Sequence, residues 1–225
     1  MDMPLLPALE LSTHPNPDTC IIWLHGLGAD GYDFLTVVRE LHLPDELKIR
    51  FVFPHAPMQP VTLNHGMRMR AWYDVALDGL ERKPDHGGIK QSILSINDWI
   101  THELSRGIPP RRLFLAGFSQ GGAVALCTGL QHPAPLGGIL ALSTYLPFPD
   151  ESAAPSHTLN HDIPIFMAHG RDDSVIPATL GDASRKTLES RGYHVDWHIY
   201  PMAHSLCMDE VNDLSAWLQH CLSDA

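Results

Sequence analysis

Six short apolar runs, at 20–24, 49–53, 113–116, 138–142, 163–168 and 195–200, alternate along the chain with longer stretches of helical period. Runs this short and this uniformly apolar are buried on both faces, and the stretches between them are long enough to cross over as helices. The pattern therefore predicts an α/β fold: a mostly parallel central sheet with helices on both faces. Ile89, Ile93, Ile96, Ile100 and Leu104 recur at helical spacing before Gly107 and Pro109 break the chain. Val211, Leu214, Leu218 and Cys221 make a second stripe, and 32–41 and 180–191 read as further helices, the latter closed by Gly192. Divided in two, 225 residues would leave each half little room for a core, so a single domain over 1–225 is expected.

One of these junctions carries chemistry. Leu113-Phe114-Leu115-Ala116 reads as a buried strand, Gly122-Ala123-Val124-Ala125-Leu126 reads as a helix, and between them lies Gly117-Phe118-Ser119-Gln120-Gly121. Strand, tight turn and helix around a G-x-S-x-G pentapeptide is the setting of a nucleophilic serine, with glycines where a side chain would clash. The helix starting after Ser119 aims its free N–H groups and positive dipole end at the reacting carbonyl. A serine hydroxyl is a weak nucleophile near neutral pH, so it needs a base, and the base needs an acid to orient it.

Fifteen histidines compete for the first role. His194 and His198 fall in or beside a strand, whereas His204, in Pro201-Met202-Ala203-His204-Ser205, falls in the loop between the last strand and the last helix, at the sheet's carboxyl edge. His204 is the expected base. Both Asp172 and Asp173 stand in the loop after 163–168, and spacing does not separate them; a role for one of them as a cap of the next helix is the bland alternative.

An oxyanion hole needs one N–H from the residue after the nucleophile and one from a loop after an early strand. Gln120 supplies the first and Leu27, flanked by Gly26 and Gly28, the second; His25 reads as structural, bonding within that loop. Gly26, Gly28 and Gly31 also match the dinucleotide pattern G-x-G-x-x-G. The second strand, however, ends in Phe53-Pro54-His55 instead of the acidic residue that would hold a ribose, so no nucleotide cofactor is expected. His102-Glu103 lacks the second histidine of H-E-x-x-H, and no other metal-ligand spacing is present.

Two stretches, 54–88 and 143–162, hold several prolines and no sustained period, which in a compact domain marks functional or disordered loops. The first carries Met67, Met69, Trp72 and Tyr73, which fit equally well as caps over the core or as the lining of an acyl pocket beside the serine. The formal charge of -11 repels phosphate backbones and anionic headgroups, so neither nucleic acid nor stable membrane insertion is expected. Four scattered cysteines without a CxxC pair, and an opening Met1-Asp2-Met3-Pro4 with no basic or long apolar run, predict a soluble cytoplasmic protein.

Trp23-Leu24-His25-Gly26-Leu27-Gly28-Ala29-Asp30-Gly31, Ala71-Trp72-Tyr73-Asp74, Gly117-Phe118-Ser119-Gln120-Gly121-Gly122, Leu142-Ser143-Thr144-Tyr145-Leu146-Pro147 and Pro201-Met202-Ala203-His204 occur in this order. Together they closely resemble the phospholipase/carboxylesterase family of α/β-hydrolases, which includes bacterial carboxylesterases and acyl-protein thioesterases. The resemblance implies Ser119, Asp173 and His204 as the catalytic triad, so it is the resemblance that chooses Asp173. It also implies Leu27 and Gln120 as oxyanion donors and a shallow acyl groove at Trp72, Tyr73, Tyr145 and Leu146. The implied substrates are short- to medium-chain carboxylic esters, lysophospholipids, acyl thioesters and S-acylated proteins, with no cofactor and at most a weak homodimer. A hydrolase-fold binding protein without catalysis is the competing reading, and the intact Ser, Asp and His argue against it.

Overall fold

The computed structural model describes residues 4–78, 81–152 and 160–223. The start at 1–3, which the sequence reading uses, and the centre of the second proline-bearing stretch at 153–159 lie outside the described residues, as do 79–80. In chain order the strands are β1 (Ala8–Ser12), β2 (Thr19–Leu24), β3 (Ile49–Pro54), β4 (Met58–Val61), β5 (Met67–Arg70), β6 (Val75–Asp78), β7 (Glu81–Pro84), β8 (Leu113–Phe118), β9 (Gly138–Leu142), β10 (Ile165–Gly170) and β11 (Val195–Tyr200). The helices are α1 (Leu35–Glu40), α2 (His86–Ser105), α3 (Gln120–Gln131), α4 (Pro149–Ser152), α5 (Ala178–Ser190) and α6 (Met208–Ser223).

The predicted strands form a seven-stranded sheet in the order β1-β3-β2-β8-β9-β10-β11, parallel throughout except for β1. Every residue of β2, β3 and β9 is buried, which is why these runs show no alternation of apolar and polar residues. The strand period of two instead sorts neighbours onto two cores. Ile22, Leu24, Leu115 and Ile139 pack with Ile96, Ile100, Ala123 and Leu126 of α2 and α3. Ile21, Trp23, Phe51, Phe114 and Leu140 pack on the other face with Val38 of α1 and Leu214 and Leu218 of α6. Burial of each such Leu, Ile or Phe is worth about 1.5–3 kcal/mol, so the sheet is held from both sides.

Two parts of the chain depart from expectation. Ala8–Ser12 is an antiparallel edge strand on β3, half buried and alternating, and too polar to read as a core strand. The stretch 54–88 is not structureless: β4 pairs with β5 and β6 with β7, each pair antiparallel and two-stranded. Its signal was weak because β4 and β5 are exposed or only partly buried at every position but Val61, so little apolar alternation is required of them. Cys20 and Cys127 are buried small core residues, and Cys207 and Cys221 are half buried. Among the described residues no helix is long and apolar enough to cross a membrane.

Glu210, in the first turn of α6, is fully buried. Neither carboxyl oxygen makes a hydrogen bond of normal geometry among the described residues. Burial dominates and the nearby Cys207 backbone amide offsets only part of it, so the carboxyl titrates at about 8. The folded protein thus retains a proton that the unfolded chain releases between its ordinary value of 4.5 and about 8, and folding stability falls as pH rises through that window. Glu210→Gln is expected to flatten that decline, recovering roughly a few kcal/mol at pH 8 relative to pH 5. Urea midpoints of both proteins at the two pH values check it; parallel pH profiles would refute it.

Candidate active site

At the carboxyl end of β8 the chain turns sharply into α3, and Ser119 sits at the turn with φ 56° and ψ -119°. This region is sparsely populated by L residues and costs on the order of 1–3 kcal/mol, so neighbours must hold it. The Ser119 N–H donates to the Leu142 carbonyl at 2.9 Å, and the Thr144 hydroxyl donates to the Ser119 carbonyl at 2.6 Å. The flanking glycines are steric requirements: a Cβ on Gly121 would lie 2.3 Å from the Leu24 carbonyl oxygen, and one on Gly117 2.4 Å from the Gly121 carbonyl oxygen. Backbone on both sides cannot move aside as a side chain would.

Loops after β10 and β11 bring two further side chains to this turn. His204 Nε2 stands 2.9 Å from Ser119 Oγ, and His204 Nδ1 stands 2.7 Å from Asp173 Oδ2. Asp173 Oδ1 accepts the Val175 and Ile176 N–H groups, both at 2.8 Å, which fixes the carboxylate and leaves Oδ2 to face the imidazole. Asp172 is exposed, its backbone N–H donates to Met202, and among the described residues its carboxylate has no bond to His204. His198 lies in β11 stacked on Phe166, away from the turn.

Behind Asp173 lies His169, fully buried, with Nε2 2.8 Å from the Ile176 carbonyl and 3.4 Å from Asp173 Oδ2. Facing a carbonyl, Nε2 carries the proton, and burial lowers the pKa so that the ring is neutral. His25, which the sequence reading keeps out of the base role, is also fully buried and neutral, its pKa lowered by burial. Its Nδ1–H donates to the Gly26 carbonyl at 2.7 Å, and its Nε2 accepts the Ala56 N–H at 3.0 Å.

The loop after β2 crosses in front of the serine: a Cβ on Gly26 would lie 3.6 Å from the Ser119 Cβ. Neither the Leu27 N–H nor the Gln120 N–H has an acceptor among the described residues. The Gln120 side chain is occupied elsewhere, its Oε1 accepting the Trp72 N–H at 2.8 Å and its Nε2 donating to the Tyr73 carbonyl at 2.6 Å.

Ser119, His204, Leu27 and Gln120 open on a cavity of about 510 Å³ whose walls include Phe34, Val37, Leu63, Val75, Phe118 and Ile176. Tyr73 and Tyr145 line it; Trp72 and Leu146 do not. Leu146 is buried, with its N–H on Ser184 Oγ, and Trp72 is buried behind the cavity wall. Met67 is exposed, and the Met69 sulfur accepts a bond from Asn64 Nδ2, so neither methionine lines the cavity. The supporting roles of Thr144 and of the Gln120 side chain had no signal in residue spacing, because both act on backbone atoms brought near only by folding.

The sequence pattern of the phospholipase/carboxylesterase family matches residues 11–222. The chain belongs to that family. It is similar to acyl-protein thioesterase 1 of Yarrowia lipolytica, 37% identical over 99% of this chain and all of that protein. It is likewise similar to acyl-protein thioesterase 1 of Neurospora crassa, 39% identical over 95% of this chain and 89% of that protein. Among solved structures, Zea mays acyl-protein thioesterase 2 superposes with a TM-score of 0.84 at 26% identity, covering 96% of this chain and 99% of that one. Arabidopsis thaliana SOBER1 superposes with a TM-score of 0.82 at 29% identity, covering 91% and 99%. This phospholipase/carboxylesterase family member therefore has the α/β-hydrolase fold and is a carboxylic-ester or thioester hydrolase.

Proposed function

We propose that Ser119, His204 and Asp173 are the catalytic triad of a serine esterase and thioesterase that works through an acyl-enzyme. The observation that carries the reading is the unbroken relay of 2.7 and 2.9 Å contacts from Asp173 through His204 to Ser119. His204 Nε2 takes the hydroxyl proton as Ser119 Oγ attacks the carbonyl carbon, and the carbonyl oxygen gains its charge between the Leu27 and Gln120 N–H groups. Collapse expels the alkoxide or thiolate, which takes up the proton that His204 received from Ser119. A water then repeats the sequence and releases the acid. Asp173 holds Nδ1 protonated and stabilises the imidazolium while it exists.

An apolar cavity of about 510 Å³ lies within the range of small-molecule sites and suits a short- to medium-chain acyl group packed along Phe34, Val37 and Leu63. The names of the relatives favour thioesters, including S-acylated proteins, as the substrates selected in the cell. A thioester carbonyl is attacked by the same apparatus and has the better leaving group, so one site serves both. Purified protein is expected to be labelled at Ser119 by a fluorophosphonate and to hydrolyse a matched series of acyl esters and acyl thioesters. Efficiency should rise with chain length until the cavity is filled. Absence of Ser119 labelling would overturn the reading, and a flat chain-length response would remove the acyl role of the cavity.

A further inference from the structure

The two N–H groups assigned above to the oxyanion come from different loops, Leu27 from the loop after β2 and Gln120 from the start of α3. Such donors must be held within about 0.5 Å of the productive geometry to act together. Backbone packing brings the two segments together, since a Cβ on Gly121 would lie 2.6 Å from the His25 carbonyl oxygen, and a residue that ties both by hydrogen bonds is Trp72. Its indole Nε1–H donates to the His25 carbonyl at 2.8 Å. Its backbone N–H donates to Gln120 Oε1 at 2.8 Å. Its carbonyl is held in turn by the Ser92 hydroxyl from α2.

The hold on the first loop continues into the reacting peptide. His25, whose carbonyl Trp72 grips, donates from Nδ1 to the Gly26 carbonyl at 2.7 Å. That carbonyl and the Leu27 N–H belong to one planar trans peptide unit, so fixing one end aims the other in the opposite direction. Trp72 is 2% exposed and does not line the cavity, so it acts on the reaction only through the protein it touches: these bonds and the packing of its ring on the His25 imidazole, with centroids 5.3 Å apart.

We propose that Trp72 is a positioning residue that sets the distance between the two oxyanion-binding N–H groups, by its indole bond to the His25 carbonyl and its backbone bond to the Gln120 side chain. The proposal rests on the reading of Leu27 and Gln120 as the oxyanion donors. It separates Trp72 from Tyr73 and Tyr145: those two meet substrate, whereas Trp72 meets only protein.

The test is Trp72→Phe, which keeps an aromatic ring and loses the N–H. Expected is a fall in kcat of about 10–100-fold on a nitrophenyl ester, less than or near the loss of one whole oxyanion donor. KM should stay within about twofold, because substrate contacts are untouched. Affinity for an alkyl trifluoromethyl ketone, which adds Ser119 and places a tetrahedral oxyanion in the same spot, should fall by a similar factor to kcat. Ile100→Ala, a core truncation in α2, serves as the destabilised control with kcat unchanged; a purely structural role for Trp72 would make the two variants alike. If Trp72→Phe fails to fold, benzothienylalanine at position 72 keeps the bicyclic shape without the N–H and carries the same expectation. Leu27→Pro deletes the loop donor itself: full activity there would overturn the oxyanion reading. A crippled Leu27→Pro beside an unimpaired Trp72→Phe, with ketone affinity intact, would overturn only the proposal for Trp72.

Discussion

Ser119→Ala is expected to lower kcat for a nitrophenyl ester by about 10⁴-fold or more, leaving only what binding and oxyanion contacts supply. Alanine removes the oxygen that stands 2.9 Å from His204 Nε2 and adds nothing, so the relay keeps its base and its acid but has no proton to move. The fold should survive. The backbone at 119 keeps its φ of 56°, since alanine is as constrained there as serine, and the bonds from Leu142 and Thr144 involve backbone atoms of residue 119. Equal circular dichroism and a similar thermal midpoint, together with lost turnover and lost fluorophosphonate labelling, form the expected set. Retained turnover in the folded variant would remove Ser119 from the mechanism.

Asp173→Asn tests the other end of the relay and should cost about 10⁴-fold in kcat, as a wrong histidine tautomer does in unrelated serine hydrolases. The reason lies in the two backbone donors. The Val175 and Ile176 N–H groups require an oxygen at the Oδ1 position, so an asparagine must turn its amide nitrogen toward His204. That nitrogen donates to Nδ1, Nδ1 becomes an acceptor, and the ring proton moves to Nε2, where it blocks acceptance of the serine proton. Asp172→Asn, on the exposed neighbour, should leave kcat within about twofold. A proton NMR signal from the Nδ1–H of His204 in the parent, absent in Asp173→Asn, would report the tautomer directly. Comparable losses in the two variants would break the assignment.

Trp72 shows where sequence reading and structure part. An aromatic in a proline-bearing stretch has no period to declare which way it faces, and the adjacent Trp72 and Tyr73 lie at a bend, where the alternation of a strand does not apply. Tyr73 reaches the cavity and Trp72 reaches the backbone behind it. The β4–β5 ribbon that precedes this segment was hidden for a related reason: it is two-stranded and half exposed, and such a ribbon places few demands on the apolar pattern.

The core strands, by contrast, were legible to within a few residues, because a strand buried on both faces must be apolar along its whole length and a crossover helix must carry a stripe. The turn at Ser119 was legible too, since its glycines and the following helix are all local. The sequence by itself thus determined the parallel sheet, the strained turn and the loop that carries His204. Spacing left the two aspartates tied, and which of them bonds the imidazole, which aromatic meets the cavity and what Trp72 bonds to were decided by tertiary structure. Those choices depend on the direction of single bonds between segments tens of residues apart, and direction at that range is not encoded in composition or period.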